Sequence, residues 1–167
     1  MEKMPFRKQL RLKGYDYSSC GAYFVTICTR NKAKLFGEIE ADEKVGATLC
    51  GRPQKMISKW LCELENKFLG VKIDEYVVMP DHIHFILWIT GDHAGSPLQE
   101  MMDWFKTMTT NEYIRGVKEG LYSPFEKSVW QRGYMERVIR NEKELYETRK
   151  YILENPLKYF LAHPLVP

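Results

Sequence analysis

Between Asp74 and Ile89 two β-rich runs are parted only by Pro80-Asp81. Proline removes a strand donor and presets a turn, so the break reads as the tip of a hairpin. The pattern predicts strands over 71–79 and 82–89, paired with each other. Alternation then sorts the second strand into two faces. His82, His84, Ile86 and Trp88 share one, and Ile83, Phe85, Leu87 and Ile89 share the other. A polar pair on an otherwise apolar surface needs partners, because unsatisfied buried polar groups cost free energy. Two readings are open. The histidines are hydrogen-bonded and half exposed at a sheet edge, or they hold a divalent metal, which requires further ligands from elsewhere.

The other elements follow from periodicity. Gly21 to Thr29 reads as a strand. Leu35–Ile39 and Val45–Leu49 read as short peripheral strands. Pro53 opens a helix whose apolar stripe is Met56, Ile57, Trp60, Leu61, Leu64 and Phe68. Ser96-Pro97 caps a second helix, with Leu98, Met101, Met102, Phe105 and Met108 facing inward. Residues 128–139 read as a strand bent at Gly133. Asn141 reads as the N-cap of a last helix with Glu142 and Glu144 in its first turn. Pro156 is expected to end that helix near Asn155. The principal order is strand, helix, strand, strand, helix, strand, helix. Its first six elements match the α+β, ferredoxin-like split β-α-β plan, and the C-terminal helix is an addition.

The 167 residues suffice for one domain with a sizeable core. With 25 Lys and Arg against 22 Asp and Glu, the chain is mildly basic, which permits a nucleic-acid partner without requiring one. The basic residues cluster early: Lys3, Arg7, Lys8, Arg11 and Lys13 form a basic arm within residues 1–17. Cys28 and Cys62 sit among apolar neighbours and read as buried thiols in a reducing compartment. No apolar stretch follows the basic N-terminus directly, and no run approaches the roughly 20 apolar residues of a membrane helix. These features predict a cytoplasmic protein.

On the last helix Tyr151 and Asn155 are one turn apart on the same face. The first offers a phenol and the second a neutral oxygen ligand. Over His82 and His84 they would complete a three-ligand metal site with a nucleophile beside it. Packing alone also accounts for a helical tyrosine, and Asn before Pro is a common helix stop.

Five segments carry a family resemblance. They are Tyr23-Phe24-Val25-Thr26-Ile27-Cys28-Thr29-Arg30-Asn31, Glu75-Tyr76-Val77-Val78-Met79-Pro80-Asp81-His82-Ile83-His84, Trp130-Gln131-Arg132-Gly133-Tyr134, Arg140-Asn141-Glu142, and Tyr151-Ile152-Leu153-Glu154-Asn155-Pro156-Leu157-Lys158. In this order and spacing, over nearly the whole chain, they resemble the single-tyrosine HUH transposases, most closely the REP-associated branch. The resemblance implies that His82 and His84 ligate Mg²⁺ or Mn²⁺, that Asn155 stands at the third ligand position, and that Tyr151 is the nucleophile. It also implies single-stranded DNA with hairpin, REP-like elements as substrate, cleaved and rejoined through a 5′-phosphotyrosine. Some relatives are dimers whose catalytic helix acts on the partner, so the resemblance admits a homodimer.

For such a substrate, the expected DNA contacts are Arg7, Lys8 and Arg11 in the arm, Arg52 and Lys55 at the first helix, and Arg132, Arg137 and Arg140 near the last strand. Trp104 and Tyr134 are candidates for stacking on unpaired bases. The principal alternative is a non-catalytic module for single-stranded nucleic acid, which needs surface aromatics but not the His-Tyr-Asn set.

Overall fold

The structure, a computed structural model, describes residues 20–42, 46–50, 52–90 and 98–162. The basic arm with Arg7, Lys8 and Arg11, the Ser96-Pro97 cap and the side chain of Arg52 lie outside the described residues.

The elements are β1 (Gly21–Cys28), β2 (Glu38–Asp42), β3 (Gly46–Cys50), α1 (Arg52–Lys67), β4 (Val71–Met79), β5 (His82–Ile89), α2 (Leu98–Lys118), β6 (Met135–Ile139) and α3 (Glu142–Ala162). The main sheet runs β4-β5-β1-β6, and each neighbouring pair is antiparallel. This is the ferredoxin-like order, with the β2-β3 hairpin inserted between β1 and α1. The expected peripheral strands form that hairpin a few residues later than read. Leu35 and Phe36 are instead buried in the core.

Register aligns three rows across one face of β5, β1 and β6. His84 faces Thr26, which faces Met135; Ile86 faces Phe24, which faces Arg137; Trp88 faces Ala22, which faces Ile139. The opposite face, with Val25, Ile27, Ile83, Phe85 and Leu87, joins α1 and α2 in the larger core. The α3 face carries a smaller cluster of Ala22, Ile86, Ile139, Leu145 and Ile152.

Four expectations are corrected. β6 is confined to Met135–Ile139, with one isolated bridge upstream between Thr29 and Trp130. The Gln131 and Gly133 carbonyls accept from Lys106 Nζ at 3.0 and 2.8 Å, so this stretch is tied to α2 rather than laddered. Helix α3 passes through Pro156 to Ala162. Interior proline costs about 3 kcal/mol, and the packing of Tyr159 and Phe160 against the core acts in the opposite direction. Trp104 meets Trp60 and Phe68 edge-on at 5.7 and 5.8 Å in the α1-α2 layer, so its ring is engaged in packing. Cys62 is exposed, because its position on α1 falls outside the apolar stripe, while Cys28 is half-buried.

Candidate active site

The Pro80-Asp81 turn is held from two sides. Thr29 donates its backbone N–H and its hydroxyl to the Asp81 carbonyl at 2.8 and 2.9 Å, and Phe36 N–H reaches the Pro80 carbonyl at 3.1 Å. This fixes the start of β5 and sets the Asp81 carboxylate 2.6 Å from His82 Nδ1. An ionised carboxylate only accepts, so Nδ1 carries a proton and Nε2 is turned away from Asp81.

His84 is 7 % exposed, and its Nδ1 lies 2.7 Å from Thr26 Oγ1. Phe24 stacks on its ring at 5.3 Å. Burial first, then the charge of neighbouring His82, push its pKa down to about 3 against the opposing pull of Asp81. His84 is therefore neutral near pH 7. In the tautomer whose Nδ1–H donates to Thr26 Oγ1, the lone pair sits on Nε2. The two rings are 4.6 Å apart. Both histidines thus have one nitrogen engaged and the other available to a metal, the arrangement common around ligating imidazoles.

Helix α3 brings the phenol. Asn141 Oδ1 accepts the Glu144 N–H at 2.9 Å, and Glu144 Oε2 accepts the Arg140 N–H at 3.0 Å, a reciprocal cap that starts the helix. Five residues before Pro156, Tyr151 Oη lies 3.5 Å from His84 Nε2 of the same chain. Tyr151 is 42 % exposed. Asn155 follows one turn on and is half-buried. Two residues before Tyr151, Arg149 forks onto Asp74, with Nε and Nη2 at 2.9 and 2.6 Å. Trp88 Nε1 donates to the same carboxylate at 2.9 Å. The Arg149 fork, helped by the Trp88 bond and opposed by burial, holds the Asp74 carboxyl below its ordinary range.

The remaining expected residues separate. Arg137 and Arg140 border a cavity that also includes Tyr151. Lys55 is exposed on α1, in the layer on the other face of the sheet. Arg132 is exposed on the connection before β6 and does not line that cavity. Tyr134 packs against the core with Lys106 Nζ 5.8 Å from its ring centre. Sequence reasoning assigned no role to Thr26, Asp81, Asp74 or Arg149. Only Asp81 carried a local signal, as a carboxylate directly before the first histidine. Among the described residues no cluster of three or more His, Cys, Asp or Glu could hold a metal ion.

Residues 17–155 match the family described as IS200-like transposases. The chain belongs to that family. Among curated proteins, this transposase is 35 % identical over 163 residues to a Haemophilus influenzae protein with no assigned function, covering 90 % of this chain and 88 % of the relative. It is 26 % identical over 147 residues to another H. influenzae protein provisionally named a REP-associated tyrosine transposase, covering 86 % and 74 %. Among solved structures, the transposase shares its fold with a REP-associated tyrosine transposase bound to a REP hairpin, at a TM-score of 0.61 and 21 % identity, covering 89 % of this chain and 73 % of that one. A Deinococcus radiodurans protein provisionally described as a transposase matches at 0.51 and 17 % identity, covering 87 % and 98 %. Among the described residues of this transposase, no helix is long and apolar enough to cross a membrane.

Proposed function

We propose that this transposase cleaves and rejoins single-stranded DNA beside folded hairpins, with Tyr151 as nucleophile and His82, His84 and Asn155 as the ligands of Mg²⁺ or Mn²⁺. The observation that carries this reading is the 3.5 Å approach of Tyr151 Oη to His84 Nε2 within one chain. The solved relative described with a REP hairpin supports the choice of substrate.

The donor set suits such an ion. Two neutral imidazoles and an amide oxygen leave positions for phosphate and water, as a mixed nitrogen and oxygen site for these metals requires. When bound, the ion would polarise the scissile phosphate and stabilise charge on its oxygens.

The chain's own groups do the rest. Thr26 and Asp81 orient the two rings, and Phe24 backs His84. The Tyr151 oxygen attacks phosphorus and gives its proton to water as the new P–O bond forms. The bond from phosphorus to the 3′ oxygen breaks, and that oxygen takes up a proton. The products are a 5′-phosphotyrosine and a free 3′-hydroxyl, so the reverse attack by a 3′-hydroxyl joins strands without an external energy source. Arg137 and Arg140 add positive charge beside the phenol, where the strand must pass.

The test is a denaturing gel of the protein with end-labelled single-stranded hairpin DNA and Mn²⁺. A slow, protease-sensitive labelled band that is lost in Tyr151→Phe is the expected outcome. A native mobility shift with no covalent band would favour a non-catalytic binding module instead.

A further inference from the structure

Helix α3 is gripped from both outer strands of the main sheet, β4 and β6. On β6, Arg137 Nη2 donates to Thr148 Oγ1 at 3.1 Å. On β4, the Asp74 carboxylate accepts Arg149 Nε at one oxygen and Nη2 at the other, at 2.9 and 2.6 Å. Between these grips the helix buries Leu145 and Ile152. One residue turns a helix by about 100°, so Leu145 and Ile152 fall in one line, with Thr148 and Arg149 on either side of it.

Two apolar side chains in a line set how closely a helix approaches a sheet. They hold its roll about its own axis only weakly. A side-chain tip stands about 5–6 Å from a helix axis, so a roll of about 10° carries it about 1 Å. Misplacing a reacting group by about 1 Å can cost on the order of a hundredfold in rate. Tyr151 is such a tip, two residues after Arg149, with its Oη 3.5 Å from His84 Nε2.

The strand is shaped to supply this grip. The β4-β5 register slips between Ile73, opposite Leu87, and Tyr76, opposite Phe85, so Asp74 and Glu75 together oppose Ile86. A bulge of this kind re-aims a side chain. The Asp74 side chain is 13 % exposed, and Trp88 Nε1 on β5 donates to it at 2.9 Å, bracing the carboxylate. Glu75 and Glu142 also attract the Arg149 charge, but the two-point contact is with Asp74.

We propose that Asp74 and Arg149 are a positioning pair for the nucleophile: their two-point grip sets the roll of α3 and with it the place of the Tyr151 oxygen beside His84. The inference rests on the nuclease reading above. Neither residue borders the cavity beside Tyr151, so the pair acts through the helix rather than on the DNA.

The experiment uses the full chain, Mn²⁺ and end-labelled single-stranded hairpin DNA. It reads the single-turnover rate of covalent adduct formation as DNA concentration is raised, beside urea unfolding of each protein. Arg149→Met and Asp74→Asn should each lower the rate at saturating DNA by roughly ten- to a hundredfold per folded molecule. The half-saturating DNA concentration should stay as in wild type. The double variant should be no worse than either single one, because the two residues act as a unit. Arg149→Lys keeps the charge without the fork and should fall between wild type and Arg149→Met. A raised half-saturating DNA concentration with the saturating rate intact would make Arg149 a DNA contact and overturn the pair. Losses explained by the unfolded fraction alone, or single losses that multiply in the double variant, overturn it too. In each of these cases the wild-type adduct keeps the nuclease reading intact. No adduct from the wild-type protein overturns the nuclease reading and the pair with it.

Discussion

Against α1 and α2 the sheet buries a broad apolar cluster in which Phe85 faces Phe105 at 6.3 Å. Against α3, among the described residues, the buried apolar cluster is smaller: Ala22, Ile86 and Ile139, with Leu145 and Ile152 from the helix. Polar contacts also cross that second interface: Arg137 with Thr148, Asp74 with Arg149, and His84 with Tyr151. The difference teaches how one sheet divides its work. Area removed from water stabilises the fold in proportion to apolar surface, so the α1-α2 face carries most of the stability. The α3 face gives up apolar burial to orient imidazoles and a phenol.

The sharpest way to break this comparison is to ask whether the α3 face is complete within one chain. Tyr151→Phe and His84→Ala should each lower adduct formation by on the order of a thousandfold or more. An equimolar mixture of the two should stay inactive, since the phenol and the imidazole of one chain already meet. Recovery of adduct in the mixture would mean that α3 serves a partner's histidines.

Next in size is a change on the dry face. Phe105 is fully buried, and Phe105→Ala should cost about 3–5 kcal/mol of stability. Urea unfolding should register that loss while adduct formed per folded molecule stays near wild type. Activity lost without a fall in stability would contradict the division of labour.

Asp81→Asn probes the polar face more gently. The carboxylate holds His82 by its Nδ1, and replacing such an orienting group typically weakens metal affinity by about 10- to 100-fold. Calorimetric titration with Mn²⁺ reads this directly, and unchanged affinity would remove Asp81 from the site.

The smallest expected effect concerns the seat of α3. The Asp74 carboxyl is held below its ordinary value of 3.8, chiefly by Arg149. A depressed carboxylate pKa adds stability above the unfolded value and loses it as pH falls through the folded one. Arg149 is 43 % exposed in its side chain, so screening limits the gain to about 1 kcal/mol. Asp74→Asn should therefore lower the urea midpoint at pH 7, with the gap to wild type closing below about pH 4. A gap independent of pH would assign the loss to packing.

Much of this was legible because it is local. The two faces of β5 follow from strand alternation, and the capped start of α3 follows from Asn141 and Glu144 three residues apart. The proximity of Tyr151 to the histidines was expected as a constellation, and the structure brings the phenol to His84 in the same chain. What misled was also local evidence. Pro156 reads as a stop and Trp104 as a free aromatic until the packing of Tyr159, Phe160, Trp60 and Phe68 is known.

The sequence by itself determined the element order, the shared face of His82 and His84, and the shared helical face of Tyr151 and Asn155. Each of these depends on a backbone period of a few residues. Only the tertiary structure decided which groups those faces meet. Thr26 reaches His84 across 58 positions, Tyr151 reaches it across 67, and Arg149 reaches Asp74 across 75. Such pairs share no local pattern, because they are set by sheet register and by how a helix lies across it.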